Sequence, residues 1–154
     1  MSTQTRHVLT SSHGFTLVEL MVTIAVLGII ASIATPSISL QLANMRVKST
    51  AATLENALKE AKAESAIRRQ DIPVTYTNGT TGGTITVGSI RTYDYDAKST
   101  IKKNSTATSI TFRPSKTASD SITYTICDSN ASASPRQVKV NKLAVITTQA
   151  GVTC

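Results

Sequence analysis

From Phe15 to Ala34 the chain reads FTLVELMVTIAVLGIIASIA, twenty residues among which Glu19 is the single charge. As a helix rising about 1.5 Å per residue, such a run covers about 30 Å, the hydrocarbon thickness of a bilayer. A carboxylate inside it costs roughly 2.5–3.5 kcal/mol on insertion scales, so Glu19 needs a partner or a route to water. Glu19 lies about 6 Å along the helix from Phe15, near enough to the interface for a plain single-pass anchor. A secretory signal cut near Ser32-Ile33-Ala34, where small residues stand two apart, is the other simple reading, but it leaves Glu19 without a purpose.

Residues 1–14 are polar, with Arg6, two histidines and no acid, and the small residue Gly14 comes before the apolar run. An ordinary secretory signal is cut after that run. The stretch Gly14-Phe15-Thr16-Leu17-Val18-Glu19 resembles the leader junction of type IV pilins. The resemblance implies cutting after Gly14 by a prepilin peptidase that also N-methylates Phe15, with the apolar helix kept on the mature chain. It further implies contact with other pilins through that helix, Glu19 meeting the amine of a neighbouring subunit. In a low-dielectric fibre core an ammonium and a carboxylate compensate each other, whereas either alone is costly. Gly28 and Pro36 extend the resemblance as places where pilin helices bend or melt, since both weaken a helix locally. Pro36 reads equally well as a kink at the membrane exit.

After Pro36 the apolar residues become one-sided. Leu40, Ala43, Val47, Ala51, Leu54, Leu58 and Ala61 recur at spacings of three and four and predict an amphipathic helix packed on a sheet. Glu55–Lys59 and Glu64–Arg68 are i,i+4 pairs in the better orientation. Arg68 and Arg69 suit the negative end of the helix dipole, and Asp71-Ile72-Pro73 predicts its end.

From Pro73 onward the chain is Thr/Ser-rich with β-branched alternation. Short strands are predicted at Val74–Thr77, Thr84–Val87, Ile90–Tyr95, Ser109–Arg113, Ile122–Cys127, Val138–Asn141 and Ala144–Thr148, with 97–108 and 114–120 as loops. Asn78-Gly79 and Gly82-Gly83 mark a hairpin turn. The fold class is α+β: a long N-terminal helix, transmembrane in its first half, packed on a small antiparallel sheet head. The organisation predicted is a leader at 1–14, a membrane or filament-core helix at 15–38, the head helix at 39–71 and a β-rich head at 72–154. Few large apolar residues follow residue 72, so such a head gains from a staple. Cys127 and Cys154, the two cysteines present, supply one if they pair outside the cytoplasm, and otherwise remain thiols.

Beyond its N-terminus the chain resembles the GspH/FimT family of minor pilins and pseudopilins. The residues that carry this are Ala61-Lys62-Ala63-Glu64-Ser65-Ala66, the strand Pro73–Thr77, Ile110-Thr111-Phe112-Arg113, Thr123-Tyr124-Thr125-Ile126-Cys127-Asp128, and a basic strand before Cys154. The resemblance implies a pilin fold. For FimT-like members it implies capture of double-stranded DNA for natural transformation through C-terminal basic residues, often within Gly-Arg-x-Arg. Here the nearest equivalent is Ser134-Pro135-Arg136-Gln137-Val138-Lys139, with Lys142-Leu143 where a Gly-Arg is expected.

Charge points the same way. Residues 1–97 hold eight Lys/Arg against seven Asp/Glu, whereas 98–154 hold eight against two. A basic surface attracts phosphate backbones without reading sequence, or serves as a solvated face. The candidate DNA-binding residues are Arg136, Lys139, Lys142, Lys102, Lys103 and Lys116. Only Phe112 and Tyr124 are aromatic in this half, too few for single-strand stacking to dominate. Catalysis is not expected. Both histidines precede Gly14, no nucleophile–base pair stands out, and Gly79-Thr80-Thr81-Gly82-Gly83 lacks the Lys-Ser/Thr of a phosphate loop. Neither a metal nor another cofactor is expected, two cysteines being too few for a zinc site. The function read from the sequence is a minor type IV pilin that waits in the inner membrane with its head in the periplasm before joining a surface pilus. A type II secretion pseudopilin and a structural priming subunit without a ligand are the alternatives.

Overall fold

The computed structural model describes residues 14–154; of the leader expected over 1–14, all but Gly14 lies outside the described residues. Two compact units result, one ending at Ser37 and one spanning Ile38–Cys154. Helix α1, Leu17–Arg68, contributes to both.

In the first unit, Thr16 starts the helix. Its Oγ1 accepts the Glu19 N–H at 3.2 Å, while its carbonyl accepts the Leu20 N–H at 3.1 Å. This is N-cap geometry, and it satisfies a donor that the first turn otherwise leaves open. Thr23 and Ser32 donate their hydroxyls to the carbonyls of Leu20 and Ile29 at 2.8 and 2.7 Å, so both polar side chains are satisfied within the apolar run. Gly28 lies in uninterrupted helix, where an added Cβ meets nothing within 4 Å. The backbone is helical through Pro36, while the side chains of 33–36 lie outside the described residues. Among the described residues no single helix is long and apolar enough to cross a membrane, but Leu17–Ser32 and Ser37–Arg68 taken as one broken span meet the requirement by length and composition.

In the second unit, α1 presents the predicted stripe. Ala43, Val47, Ala51, Leu54, Leu58 and Ala61 are buried, joined by Thr50, Ala57 and Ser65, while Leu40 is half-buried. The alanines, with the larger Leu54 and Leu58, form the buried face of the helix in the core. The helix stops at Arg68, and Arg69 takes φ 54°, the left-handed conformation that ends many helices. The stop therefore precedes Asp71-Ile72-Pro73, and Ile72 and Pro73 already belong to a strand.

Eight strands follow: β1 Ile72–Thr77, β2 Gly83–Val87, β3 Arg91–Tyr95, β4 Ser99–Lys103, β5 Ile110–Phe112, β6 Ile122–Asp128, β7 Arg136–Val140 and β8 Ile146–Ala150. They form two four-stranded antiparallel sheets, ordered β3-β2-β1-β5 and β4-β6-β7-β8, where one sheet was expected. Strand β4 lies inside the 97–108 segment predicted as loop. Its polar residues hide an alternation, Ser99 and Ile101 pointing inward. Strands β7 and β8 sit about two residues from their predicted bounds because the turn between them is Asn141–Val145, closed by the Asn141 side chain accepting the Val145 N–H at 2.9 Å. The β1–β2 turn falls where Asn78-Gly79 and Gly82-Gly83 put it. A Cβ on Gly79 would stand 2.3 Å from the Gly82 carbonyl oxygen, so only glycine fits.

Inward residues of both sheets, including Ile85, Val87, Ile101, Ile110, Phe112, Ile122, Ile126 and Val138, join the helix stripe in one core. Asn78 stitches the sheets. Its Oδ1 accepts the Ile101 N–H at 2.9 Å and the Tyr95 hydroxyl at 2.7 Å, and its Nδ2 donates to the Ile101 carbonyl at 3.0 Å. Tyr76 and Tyr124 meet edge to face across the same seam, ring centres 5.9 Å apart.

Candidate functional site

Two regions carry the residues singled out by sequence. In the first unit Phe15 and the apolar side chains from Leu17 to Ile30 are exposed, many by more than half. Glu19 lies in the first turn of α1, where its negative charge complements the positive end of the helix dipole. Its backbone is held by the Thr16 cap, and no hydrogen bond or ion pair of its carboxylate is found among the described residues. The spacing Thr16-x-x-Glu19 is that of a capping box, a signal legible in the sequence but not used there.

In the second unit the six candidate DNA-binding residues do not form one patch. Lys102 and Lys139 share the outer face of the β4-β6-β7-β8 sheet. Lys102 stands opposite Thr125, Thr125 opposite Gln137, and Lys139 two residues further on, so the two lie about 12 Å apart from strand spacing and rise. The Lys102 ammonium donates to the Cys154 carbonyl at 2.8 Å. Lys103 faces the other way and is taken up by the fold, its Nζ donating to the Ala107 carbonyl and standing 5.7 Å from the Tyr76 ring centre. Arg136 shares the helix-facing side of β7 with the buried Val138 and Val140, and borders a hollow with Lys48, Glu55 and Thr148. Lys142 is exposed in the β7–β8 turn, and its carbonyl accepts the Ala118 N–H at 3.0 Å.

Lys116, on the β5–β6 connection, instead meets lysines of α1. With Lys59 and Lys62 it surrounds a groove of about 600 Å³ whose walls include Ala63, Ala66, Val145 and Ile146. Lys62 fixes this arrangement by donating to the Ala144 carbonyl at 2.8 Å. The sequence gives no sign of this gathering, because the 141–146 segment that completes it is some eighty residues away from Lys59 and Lys62.

An ion pair with a fully buried carboxylate lies elsewhere in the head. Arg46 Nε and Nη2 donate to the two Asp128 oxygens at 2.8 and 2.9 Å, a bidentate pair that ties α1 to the end of β6. The Asp128 side chain is fully buried and that of Arg46 is 22% exposed. Burial alone pushes the Asp128 carboxyl up, but the Arg46 guanidinium and the Asn130 backbone N–H outweigh it and hold the group below the usual carboxylate range. Nearby, Asn44 accepts the Ser134 N–H at 2.8 Å, so α1 also holds the β6–β7 loop. Cys127 and Cys154 are joined in a disulfide, Cα atoms 5.9 Å apart, which pins the C-terminus to β6.

Comparison with known proteins places these features. Residues 9–35 match the prokaryotic N-terminal methylation motif, and residues 50–144 match the model of the type II transport protein GspH. The chain belongs to the GspH family. It is a pilin-like protein whose membrane anchoring is implied by the N-terminal motif. Crystal structures of the type IV minor pilin FimU of Pseudomonas aeruginosa (strain PAO1), in two crystal forms, superpose on this GspH-family chain with TM-scores of 0.57 and 0.58 at 23% identity. They cover 70% of this chain and 98% and 94% of theirs. The minor pseudopilin EpsH from the type 2 secretion system of Vibrio cholerae superposes at 0.55 with 12% identity, covering 68% of this chain and 97% of that one. At these identities the likeness establishes the pilin fold and nothing finer. No curated protein matches the chain.

Proposed function

We propose that this GspH-family chain is a minor type IV pilin, cut after Gly14, N-methylated at Phe15, and held in the inner membrane by residues 15–38 with its head in the periplasm until it joins a surface pilus. The segment 39–71, helical as far as Arg68, and the β-rich region at 72–154 make up that head. The observation that carries this is the methylation motif at 9–35 joined to a GspH-type head at 50–144. In the pilus, the exposed apolar surface from Leu17 to Ile30 packs against other pilins, and Glu19 takes the amine of a neighbouring Phe15 as its partner. Intact mass measurement of the chain purified from its own cells is expected to give a polypeptide starting at N-methyl-Phe15. A start near Thr35, or at Met1 in cells with an active prepilin peptidase, overturns the reading.

Pilus biogenesis is the general role, and capture of double-stranded DNA for natural transformation is the specialised one. The excess of base over acid in 98–154 supports the latter, with Lys139 and Lys142 exposed or half-exposed on the head. The expected binding is weak, indifferent to sequence and steeply reduced by salt. Gel shifts of the full chain in detergent over a salt series test it. Lys139→Ala with Lys142→Ala is expected to weaken binding uniformly across sequences and to lower the salt slope by about 2. Binding that ignores salt removes the DNA role while leaving the pilin role standing. The match to a type II transport family favours a second reading, a pseudopilin of a secretion system. Deleting the gene separates the two: a pilin loses piliation and transformation, a pseudopilin loses export of folded proteins.

A further inference from the structure

The two sheets have four edges, and three are protected in familiar ways. Edge strand β3 carries Arg91 and Asp94, and β4 carries Lys102 and Lys103. Strand β5 has three residues, and its outer side is covered through the Phe112–Ala118 bridge and the Ser119 N–H bonded to the Thr111 carbonyl at 2.9 Å. Strand β8 differs. Its five residues, Ile146-Thr147-Thr148-Gln149-Ala150, contain no charge and no proline, and four of them are exposed.

The register shows which backbone groups stand open on β8. Asn141 donates to the Val145 carbonyl and Gly151 to the Pro135 carbonyl, so 141·145 and 135·151 are hydrogen-bonded pairs of the antiparallel ladder. Pairing alternates, so Thr147 and Gln149 bond to β7. Ile146, Thr148 and Ala150 therefore turn their N–H and C=O groups to the free edge, and among the described residues nothing meets them. Alongside runs the space between β8 and α1. It comprises the groove of about 600 Å³ ringed by Lys59, Lys62 and Lys116 and a hollow of about 280 Å³ bordered by Lys48 and Arg136. The one carboxylate there, Glu55, is already held by Lys59 at 2.5 Å and by the Thr148 hydroxyl at 2.7 Å.

We infer that β8 is a docking edge that takes an extended acidic segment of a partner protein as an added strand, its carboxylates set against the lysines of the neighbouring trough. Main-chain bonds to Ile146, Thr148 and Ala150 hold the segment, the apolar walls at Ala63, Ala66 and Val145 receive its alternate side chains, and the basic rim selects its charge. A second copy of β8 is the wrong occupant, because antiparallel self-pairing sets the same lysines against each other. A nucleic acid backbone leaves the apolar wall and the edge carbonyls without partners. The inference does not depend on the pilin reading or on DNA binding.

The test uses the full chain in detergent micelles and two fluorescent heptapeptides, one alternating valine with glutamate and one alternating valine with lysine. Anisotropy is expected to show the glutamate peptide binding on the order of tenfold more tightly. Residue-resolved hydrogen exchange is expected to slow at the amides of Ile146, Thr148 and Ala150 when that peptide is added. Thr148→Pro removes one outward N–H, no ladder bond, and the hydroxyl that holds Glu55, so relative to Thr148→Ala, which lacks that hydroxyl alone, it is expected to lower affinity on the order of tenfold with a matching thermal midpoint. Ala150→Pro serves the same end if the first variant folds poorly. Equal affinity for both peptides, unaltered exchange at the three amides, or full binding by both proline variants overturns the proposal. So does protection of those amides that grows with protein concentration alone, which assigns the edge to a second copy, or protection by a DNA duplex in place of the peptide.

Discussion

Arg46 and Asp128 are the residues on which the head's electrostatics turn. A buried carboxylate is tolerable here because two guanidinium donors and the Asn130 N–H reach it. Removing the arginine strands that charge, so Arg46→Met is expected to lower stability at neutral pH by about 3 kcal/mol, as measured by urea unfolding. The pH dependence follows from the depressed pKa of Asp128. Its contribution is complete above the unfolded value of about 3.9 and is lost as pH falls through the folded value below it. Wild-type stability should therefore drop as pH is lowered beneath about 4, and the gap between wild type and Arg46→Met should narrow over the same range. A gap that stays constant down to pH 2 counts against the pair. Neither partner announced itself in the sequence. Arg46 sits on the polar side of a helical repeat, Asp128 comes just after the strand predicted to end at Cys127, and 82 positions separate them. Local patterns carry no information about such a meeting, whereas Gly79 and Gly82, whose constraint is local, were legible as a turn.

At the scale of elements, helix α1 writes its own packing. Its stripe of alanines and leucines at spacings of three and four is the face that the sheets cover. Leu58 is completely buried while Leu42 is 50% exposed on the other side. Leu58→Ala is expected to cost about 2–5 kcal/mol and Leu42→Ala less than about 1 kcal/mol in the same unfolding experiment. Similar losses at both positions contradict the burial pattern. Strands with strong alternation, such as β2 and β6, were readable for the same reason. Strand β4 was not, because Ser99-Thr100-Ile101-Lys102-Lys103 offers a single apolar residue and is made a strand by pairing with β6. The division into two sheets was equally invisible, since hydrophobic alternation records which face is buried and not which strand lies alongside.

At the scale of the molecule, the N-terminal motif and the head speak to different questions. Gly14, Phe15 and Glu19 were readable as a pilin-like junction because their order along the chain is the signal. The basic residues of the head were readable as charge but not as a surface. Folding sends Lys103 into a seam, Arg136 toward the helix, and Lys116 to Lys59 and Lys62. Only Cys127 and Cys154 had no competing partner of their kind, so their bond could be foreseen. It closes 27 residues of sequence, and chain-entropy reasoning puts its contribution at about 3–4 kcal/mol. Cys154→Ser is expected to lower the thermal midpoint by several degrees in an unfolding scan; an unchanged midpoint means the tether is slack.

That covalent loop encloses all of β7 and β8. With Cys154 bonded to Cys127, a pull on the C-terminus cannot shed those two strands one after another, as an unlinked hairpin peels under traction. The load is passed instead to β6, which lies inside its sheet, and from there through the Arg46–Asp128 clasp back to the shaft.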